Sequence, residues 1–136
     1  MQNTKAVLLA VILISLLCLL SCKSAQQEEA QDPWYTYSDA SLYVKLNANY
    51  TTGYQWTATI DGTSLQLTQE NYTPHEAPSD MVGVGGTWTC TLTAACDGLA
   101  TVRLIYARPW DKTDIAETHT LKVTVSNGKI SNVEEK

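Results

Sequence analysis

The sequence predicts an all-β chain: an immunoglobulin-like antiparallel β-sandwich of about seven strands. Three observations predict it. From Ser41 onward nearly every apolar run has period two, the signature of strands with one dry and one wet face. No stretch after residue 33 shows a convincing 3.6-residue period. Turn residues separate the runs at short intervals, as in two-sheet sandwiches. The 136 residues suit a single domain and exclude multi-domain nucleotide-binding enzymes.

The first segment is read apart from the fold. Lys5 is the only charge before residue 23, and Ala6 to Leu20 is apolar except for Ser15. A short positive end followed by about fifteen apolar residues reads as a signal peptide rather than a spanning helix. It ends Leu19-Leu20-Ser21-Cys22, which looks like a bacterial lipobox. Residues 1–21 are therefore expected to be a lipoprotein signal peptide, with Cys22 acylated. Several acyl chains on one residue give stable anchoring, since each buried methylene contributes ~0.8 kcal/mol. The alternative is an ordinary secretory signal with a stray thiol. Residues 22–36 are expected to be the acylated Cys and a flexible tether, polar and without periodicity as far as Asp32. The expected location is that of an exported bacterial lipoprotein, membrane-anchored and facing periplasm or cell surface.

The expected folded domain is 37–127, and its strands follow in order. Leu42, Val44 and Leu46 alternate with Tyr43, Lys45 and Asn47. Tyr54, Trp56, Ala58 and Ile60 form the next dry face, and Leu65 and Leu67 a short third. Trp88, Cys90 and Leu92 alternate with Thr87, Thr89, Thr91 and Thr93. Ala100, Val102, Leu104 and Tyr106 make a fifth run, and Leu121, Val123 and Val125 a sixth. Asn127-Gly128 is a two-residue hairpin signal. Residues 128–136 are thus either an edge strand or a free tail.

Composition narrows the partners. Lys+Arg 9 against Asp+Glu 14 gives a net charge of −5, which argues against nucleic acid, whose phosphates demand a basic face. Phe is absent, while Trp is 4 and Tyr is 7, rings with a polar handle that suit half-buried sheets and binding edges. In an oxidising compartment Cys90 and Cys96 are close enough in sequence for a disulfide closing a small loop. Against it, Cys90 falls on a dry face, where a reduced thiol serves as a small hydrophobe. His75 and His119 lie at no recognised ligand spacing from that pair, so no metal site is expected, and no cofactor. No nucleophile with a nearby base and no paired-carboxylate motif stands out, so the chain is not read as an enzyme.

Three loops carry the unusual residues. Asn49-Tyr50-Thr51-Thr52-Gly53-Tyr54 combines a turn-initiating Asn, two small stiff Thr and a Gly able to take positive φ. Met81-Val82-Gly83-Val84-Gly85-Gly86 lets backbone approach another surface closely. A phosphate loop would need a helix to follow, and Thr87 to Thr93 is a strand pattern. Arg108-Pro109-Trp110 ends the fifth run with a rigid exit and two side-chain types common as binding anchors. Taken singly, each also suits a plain turn, with Trp56 in the core and an Arg–Trp stack closing one end.

Together the three resemble the chagasin family of cysteine-peptidase inhibitors. That family is marked by Asn-Pro-Thr-Thr-Gly-Tyr/Phe, Gly-x-Gly-Gly and Arg-Pro-Trp/Phe loops in that order. The matching residues are Asn49 with Thr51 to Tyr54, Gly83 to Gly86, and Arg108 to Trp110, and Tyr50 departs from the family Pro. Losing that φ lock is expected to weaken pre-organisation by ~0.4–1 kcal/mol unless Tyr50 adds contacts of its own. The resemblance covers roughly residues 40 to 126. It implies a reversible, non-covalent inhibitor of papain-like cysteine peptidases, with three adjacent loops as a wedge. Thr51, Thr52 and Gly53 would occlude the catalytic Cys–His pair. Gly83, Gly85 and Gly86 would allow close main-chain approach on one side, and Arg108 and Trp110 would anchor the other. The implied partners are such a peptidase and, through Cys22, a membrane; the inhibitor is expected to be a monomer. The alternative is a surface-tethered immunoglobulin-like binding or adhesion module without inhibitory activity, since sandwiches host many functions. Asn49-Tyr50-Thr51 and Asn71-Tyr72-Thr73 match a glycosylation sequon, and a glycan on Asn49 would obstruct the wedge.

Overall fold

The computed structural model describes residues 33–136. The expected signal peptide, the acylated Cys22 and the tether up to Asp32 lie outside the described residues. Eight strands follow: β1 (Tyr35–Ser38), β2 (Ser41–Ala48), β3 (Gln55–Asp61), β4 (Leu65–Pro74), β5 (Gly86–Ala94), β6 (Gly98–Arg108), β7 (Asp111–Ser126) and β8 (Lys129–Glu135). They form two four-stranded sheets, ordered β1-β2-β5-β4 and β3-β6-β7-β8. Every neighbouring pair is antiparallel.

The alternation in sequence becomes the core directly. Leu42, Val44 and Leu46 of β2 and Trp88, Cys90 and Leu92 of β5 are buried from one sheet. Ala100, Val102 and Leu104 of β6 and Leu121, Val123 and Val125 of β7 are buried from the other. Trp56 and Trp88, one from each sheet, stack with ring centroids 6.0 Å apart. Their indole N–H groups are satisfied: Trp56 Nε1 donates to the Asn47 carbonyl at 2.8 Å, and Trp88 Nε1 to Glu70 Oε1 at 2.9 Å. A buried indole left without an acceptor would cost about 1–3 kcal/mol.

The structure sharpens four expectations. The sandwich has eight strands rather than about seven, because β1 adds to the β2 edge. The ordered domain starts earlier than residue 37: β1 begins at Tyr35, and the Trp34 carbonyl accepts from Lys45 N at 2.8 Å. The C-terminal residues are an edge strand, with Val123 opposite Val133 and the turn made by Asn127 and Gly128 at φ 54° and 71°. The Asp97 carboxylate holds that turn, accepting from Asn127 N at 2.9 Å and Gly128 N at 2.8 Å. These amides hold its carboxyl below the usual range.

The fourth concerns Cys90 and Cys96, both of which are free. Cys90 points into the core, and β5 runs on to Ala94 before the turn that holds exposed Cys96. Four strand residues span about 13 Å, whereas a disulfide needs Cα atoms within about 7 Å. Cys96 Sγ instead donates to the Thr63 carbonyl at 3.2 Å. Burial pushes the Cys90 thiol up to about 12, so it is an inert hydrophobe.

Candidate functional site at one pole of the sandwich

Strand register decides where the three loops emerge. Ala48, the last residue of β2, lies opposite Gly86, the first of β5, and Gly86 lies opposite Pro74, the last of β4. In the other sheet Gln55, the first residue of β3, lies opposite Ala107, next to the end of β6. The β2–β3, β4–β5 and β6–β7 connections therefore leave from the same end.

The first loop is a single 3₁₀ turn, Tyr50–Thr52, built by Asn49. Asn49 Oδ1 accepts from Thr51 N at 3.2 Å and from Thr51 Oγ1 at 2.6 Å. Thr52 Oγ1 donates to the Asn49 carbonyl at 2.6 Å. Gly53 closes the turn at φ 86°, its N–H donating to the Tyr50 carbonyl at 3.1 Å. Left-handed backbone of this kind costs an L side chain roughly 1–2 kcal/mol, so glycine belongs here. The base of the turn is pinned from the opposite sheet, where Tyr106 Oη accepts from Asn49 N at 2.7 Å. What remains outward are Thr51 and Thr52, both exposed.

Each neighbouring loop is tied to this turn. Asn49 Nδ2 donates to the Gly83 carbonyl at 3.0 Å, fixing the second loop beside the first. On the other side the Trp110 ring lies over Gly53: a Cβ there would sit 2.5 Å from Trp110 Cη2. Tyr54 adds a third tie. Its hydroxyl donates to Asp114 Oδ1 at 2.6 Å, and the Arg108 guanidinium lies 4.6 Å over its ring. Arg108 Nη1 also donates to Asp114 Oδ2 at 2.8 Å. The hydrogen bond to Asp114 raises the Tyr54 phenol above its ordinary value, so it stays neutral and donating.

The structure thus brings all thirteen sequence-predicted site residues to one pole but divides them by role. Thr51, Thr52, Pro109 and Trp110 face outward, Trp110 at 72% exposure. Asn49, Tyr54 and Arg108 are half-buried and spend their polar groups within the chain. Gly86 is corrected outright. It is buried in β5, where a Cβ would meet the Thr73 carbonyl at 2.5 Å and the Tyr72 ring at 2.6 Å. It makes room for this chain's own neighbours, not for a second surface. Gly85 is similar, with a Cβ there 3.2 Å from the Ala48 carbonyl, while exposed Gly83 and half-buried Val84 complete the loop.

Tyr50 has the contacts that its lost φ lock calls for. It stacks on Tyr72 of β4 with centroids 3.9 Å apart and planes 10° from parallel. Burial first, then the Glu70 carboxylate, raises its phenol above the ordinary value. The sequence reading places Met81 and Val82 in the second loop without giving them a role, yet they are exposed at 61% and 94%, and it leaves out Tyr72 and Asp114. An apolar pair entering a Gly-rich loop was the available signal for Met81 and Val82. Nothing in the sequence marked Tyr72 or Asp114. Among the described residues no group of three or more His, Cys, Asp or Glu stands ready for a metal ion.

Comparison with known proteins gives the following. A family model described as "Chagasin family peptidase inhibitor I42" matches residues 37–125. Amoebiasin-1 of Entamoeba histolytica is 36% identical over 83 residues, covering 60% of this chain and 78% of that protein. Amoebiasin-2 of the same organism is 31% identical over 71 residues, 52% of this chain; the match spans only 58% of that relative's length. The crystal structure of the cysteine protease inhibitor EhICP2 from Entamoeba histolytica superposes with a TM-score of 0.54 at 28% identity. It covers 62% of this chain and 77% of that one.

Proposed function

The chain belongs to the chagasin family of peptidase inhibitors, and from that premise we propose that it is a reversible, non-covalent inhibitor of papain-like cysteine peptidases. Members of this family are inhibitors rather than enzymes. The observation that supports the wedge is the lateral tying of its three loops. Asn49 joins the first to the second, and the Gly53–Trp110 contact with the Asp114 pair joins it to the third. A surface already fixed in the free protein loses little entropy on docking.

In this reading Thr51, Thr52 and Gly53 enter the cleft and shield the enzyme's thiol. Met81, Val82 and Gly83 rest on one flank, and Pro109 with Trp110 on the other. The wedge presents no nucleophile or electrophile, so the peptidase is blocked sterically and recovers on dilution. About 800 Å² per partner is the expected interface. The protein works as a monomer, held to a membrane on the periplasmic or outer surface through lipid on Cys22. The lipobox at the end of the apolar run supports that anchoring.

The test is a titration of several papain-like peptidases with the purified chain, followed by dilution. Tight inhibition that reverses on dilution is expected. Failure to inhibit any of them, with the fold intact, refutes the reading. Acyl labelling that is lost in Cys22→Ala is the corresponding test of the anchor.

A further inference from the structure

The end of the β6–β7 hairpin is irregular. Tyr106 lies opposite Glu117, Ala107 opposite Ile115 and Arg108 opposite Asp111, so register shifts flank Ala107 on both sides. On β7, Lys112, Thr113, Asp114 and Ala116 have no counterpart on β6. Bulges of this kind re-aim a side chain that a regular ladder would send elsewhere. Asp111 stabilises the distortion by accepting from Thr113 N at 3.0 Å and Thr113 Oγ1 at 2.6 Å.

The residue re-aimed is Asp114. Its two carboxylate oxygens are divided between two elements: Oδ1 takes the Tyr54 hydroxyl from the first loop, and Oδ2 takes Arg108 from the hairpin. The pair with Arg108 is 38% and 35% exposed, and such pairs contribute little to global stability. Charge-assisted bonds of 2.6 and 2.8 Å are nevertheless strong constraints on local geometry. Tyr54 adjoins Gly53 and Arg108 lies two residues before Trp110, so these bonds bracket the meeting of Gly53 with Trp110.

We propose that Asp114 is a positioning residue that fixes the gap between the Thr51–Thr52 tip and Trp110, and so the shape offered to the peptidase. This rests on the inhibitory reading above. Asp114 reaches the partner through Tyr54, Arg108 and Trp110 rather than by contact of its own.

The test uses the full chain with Asp114→Ala and Asp114→Asn. In the free protein, Asp114→Ala is expected to shift the Gly53 amide and Trp110 indole NMR resonances, because the ring leaves the glycine. Loss of two charge-assisted bonds should weaken inhibition by on the order of 10-fold while the melting midpoint moves little. Asp114→Asn keeps an acceptor for Tyr54 without the charge on Arg108, and is expected to fall between. In the Asp114→Ala/Trp110→Ala double variant the combined loss should be smaller than the product of the single losses, as for residues acting as a unit. Unmoved Gly53 and Trp110 resonances would overturn the proposal, as would a wild-type inhibition constant in Asp114→Ala or strictly multiplicative losses. If the wild type inhibits nothing, the inhibitory reading falls, and the free-protein spectra still decide whether Asp114 sets the gap.

Discussion

Replacing Trp110 by Ala separates binding from folding. The side chain is 72% exposed, and its covered part lies on Gly53. A Trp offers roughly 250 Å² in total, so about 180 Å² faces solvent in the free inhibitor. At ~25 cal/mol per Å², burying all of it would contribute up to about 4.5 kcal/mol. Incomplete burial and the methyl that Ala retains lower this to ~2–4 kcal/mol, the range of buried Trp anchors. The inhibition constant should therefore rise about 30- to 700-fold. The covered remainder, about 70 Å², limits the folding cost to under ~2 kcal/mol. Titration against a peptidase that the wild type inhibits, paired with thermal melting, reads both quantities. An unchanged inhibition constant in a folded variant would show that Trp110 does not meet the enzyme, and the assignment of the hairpin to one flank would fail.

Three further outcomes follow from the same geometry. Gly53→Ala should cost about 1–2 kcal/mol of stability from positive φ and should push the Trp110 ring aside, weakening inhibition; melting and titration check the two parts. Tyr72→Ala removes the stack under Tyr50, worth ~0.5–1.5 kcal/mol beyond its area, and should lower the melting midpoint by several degrees. The Asp97 carboxyl is held below its ordinary value of 3.8 by the Asn127 and Gly128 amides. Its contribution is thus complete above that value and disappears as pH falls through the lower folded value. Melting curves below about pH 4 should fall less steeply in Asp97→Asn than in the wild type.

The sandwich was legible because its inner strands are amphipathic. Leu42-Val44-Leu46 and Val102-Leu104 announce a buried face by alternation alone, and they are buried. What escaped lies where burial is weak. β1 has Tyr35 and Tyr37 on its inner side at a sheet edge, half covered or exposed, and a four-residue run with two tyrosines is too short to stand out from the tether before it. β7 starts ten residues before Leu121, and of Asp111 to Thr120, only partly paired to β6, seven residues are exposed and none is buried. Side-chain bonds at Asp114 and the packing of His119 on Trp56 add to that pairing, and neither polar anchors nor backbone pairing leaves a hydrophobic trace. The loop motifs were legible as motifs, but Gly86 shows the limit of reading glycine as an invitation to a partner. Absence of a side chain states that something comes near, not whose atoms they are.

Tyr50 shows how a local departure is absorbed. A proline at that position would restrict the unfolded loop through a fixed φ, an entropic device that needs no neighbour. Tyrosine gives that up and keeps an amide to satisfy. In exchange its ring lies flat on Tyr72, and Tyr72 can occupy that place because Gly86 lacks a Cβ. The turn is then held by three separate kinds of contact. They are the Asn49 cap from within, the Tyr106 hydroxyl from the opposite sheet, and the Tyr50 stack from β4. The stack of ~0.5–1.5 kcal/mol is of the same size as the ~0.4–1 kcal/mol that proline would supply. Stiffness lost in the chain is thus replaced by stiffness in the packing, at the cost of depending on a second strand. Tyr50→Pro in the wild-type background should accordingly change the affinity little, and in the Tyr72→Ala background should restore part of what was lost. A Tyr50→Pro substitution that tightened inhibition tenfold in the wild type would show that the stack does not do the work of the ring.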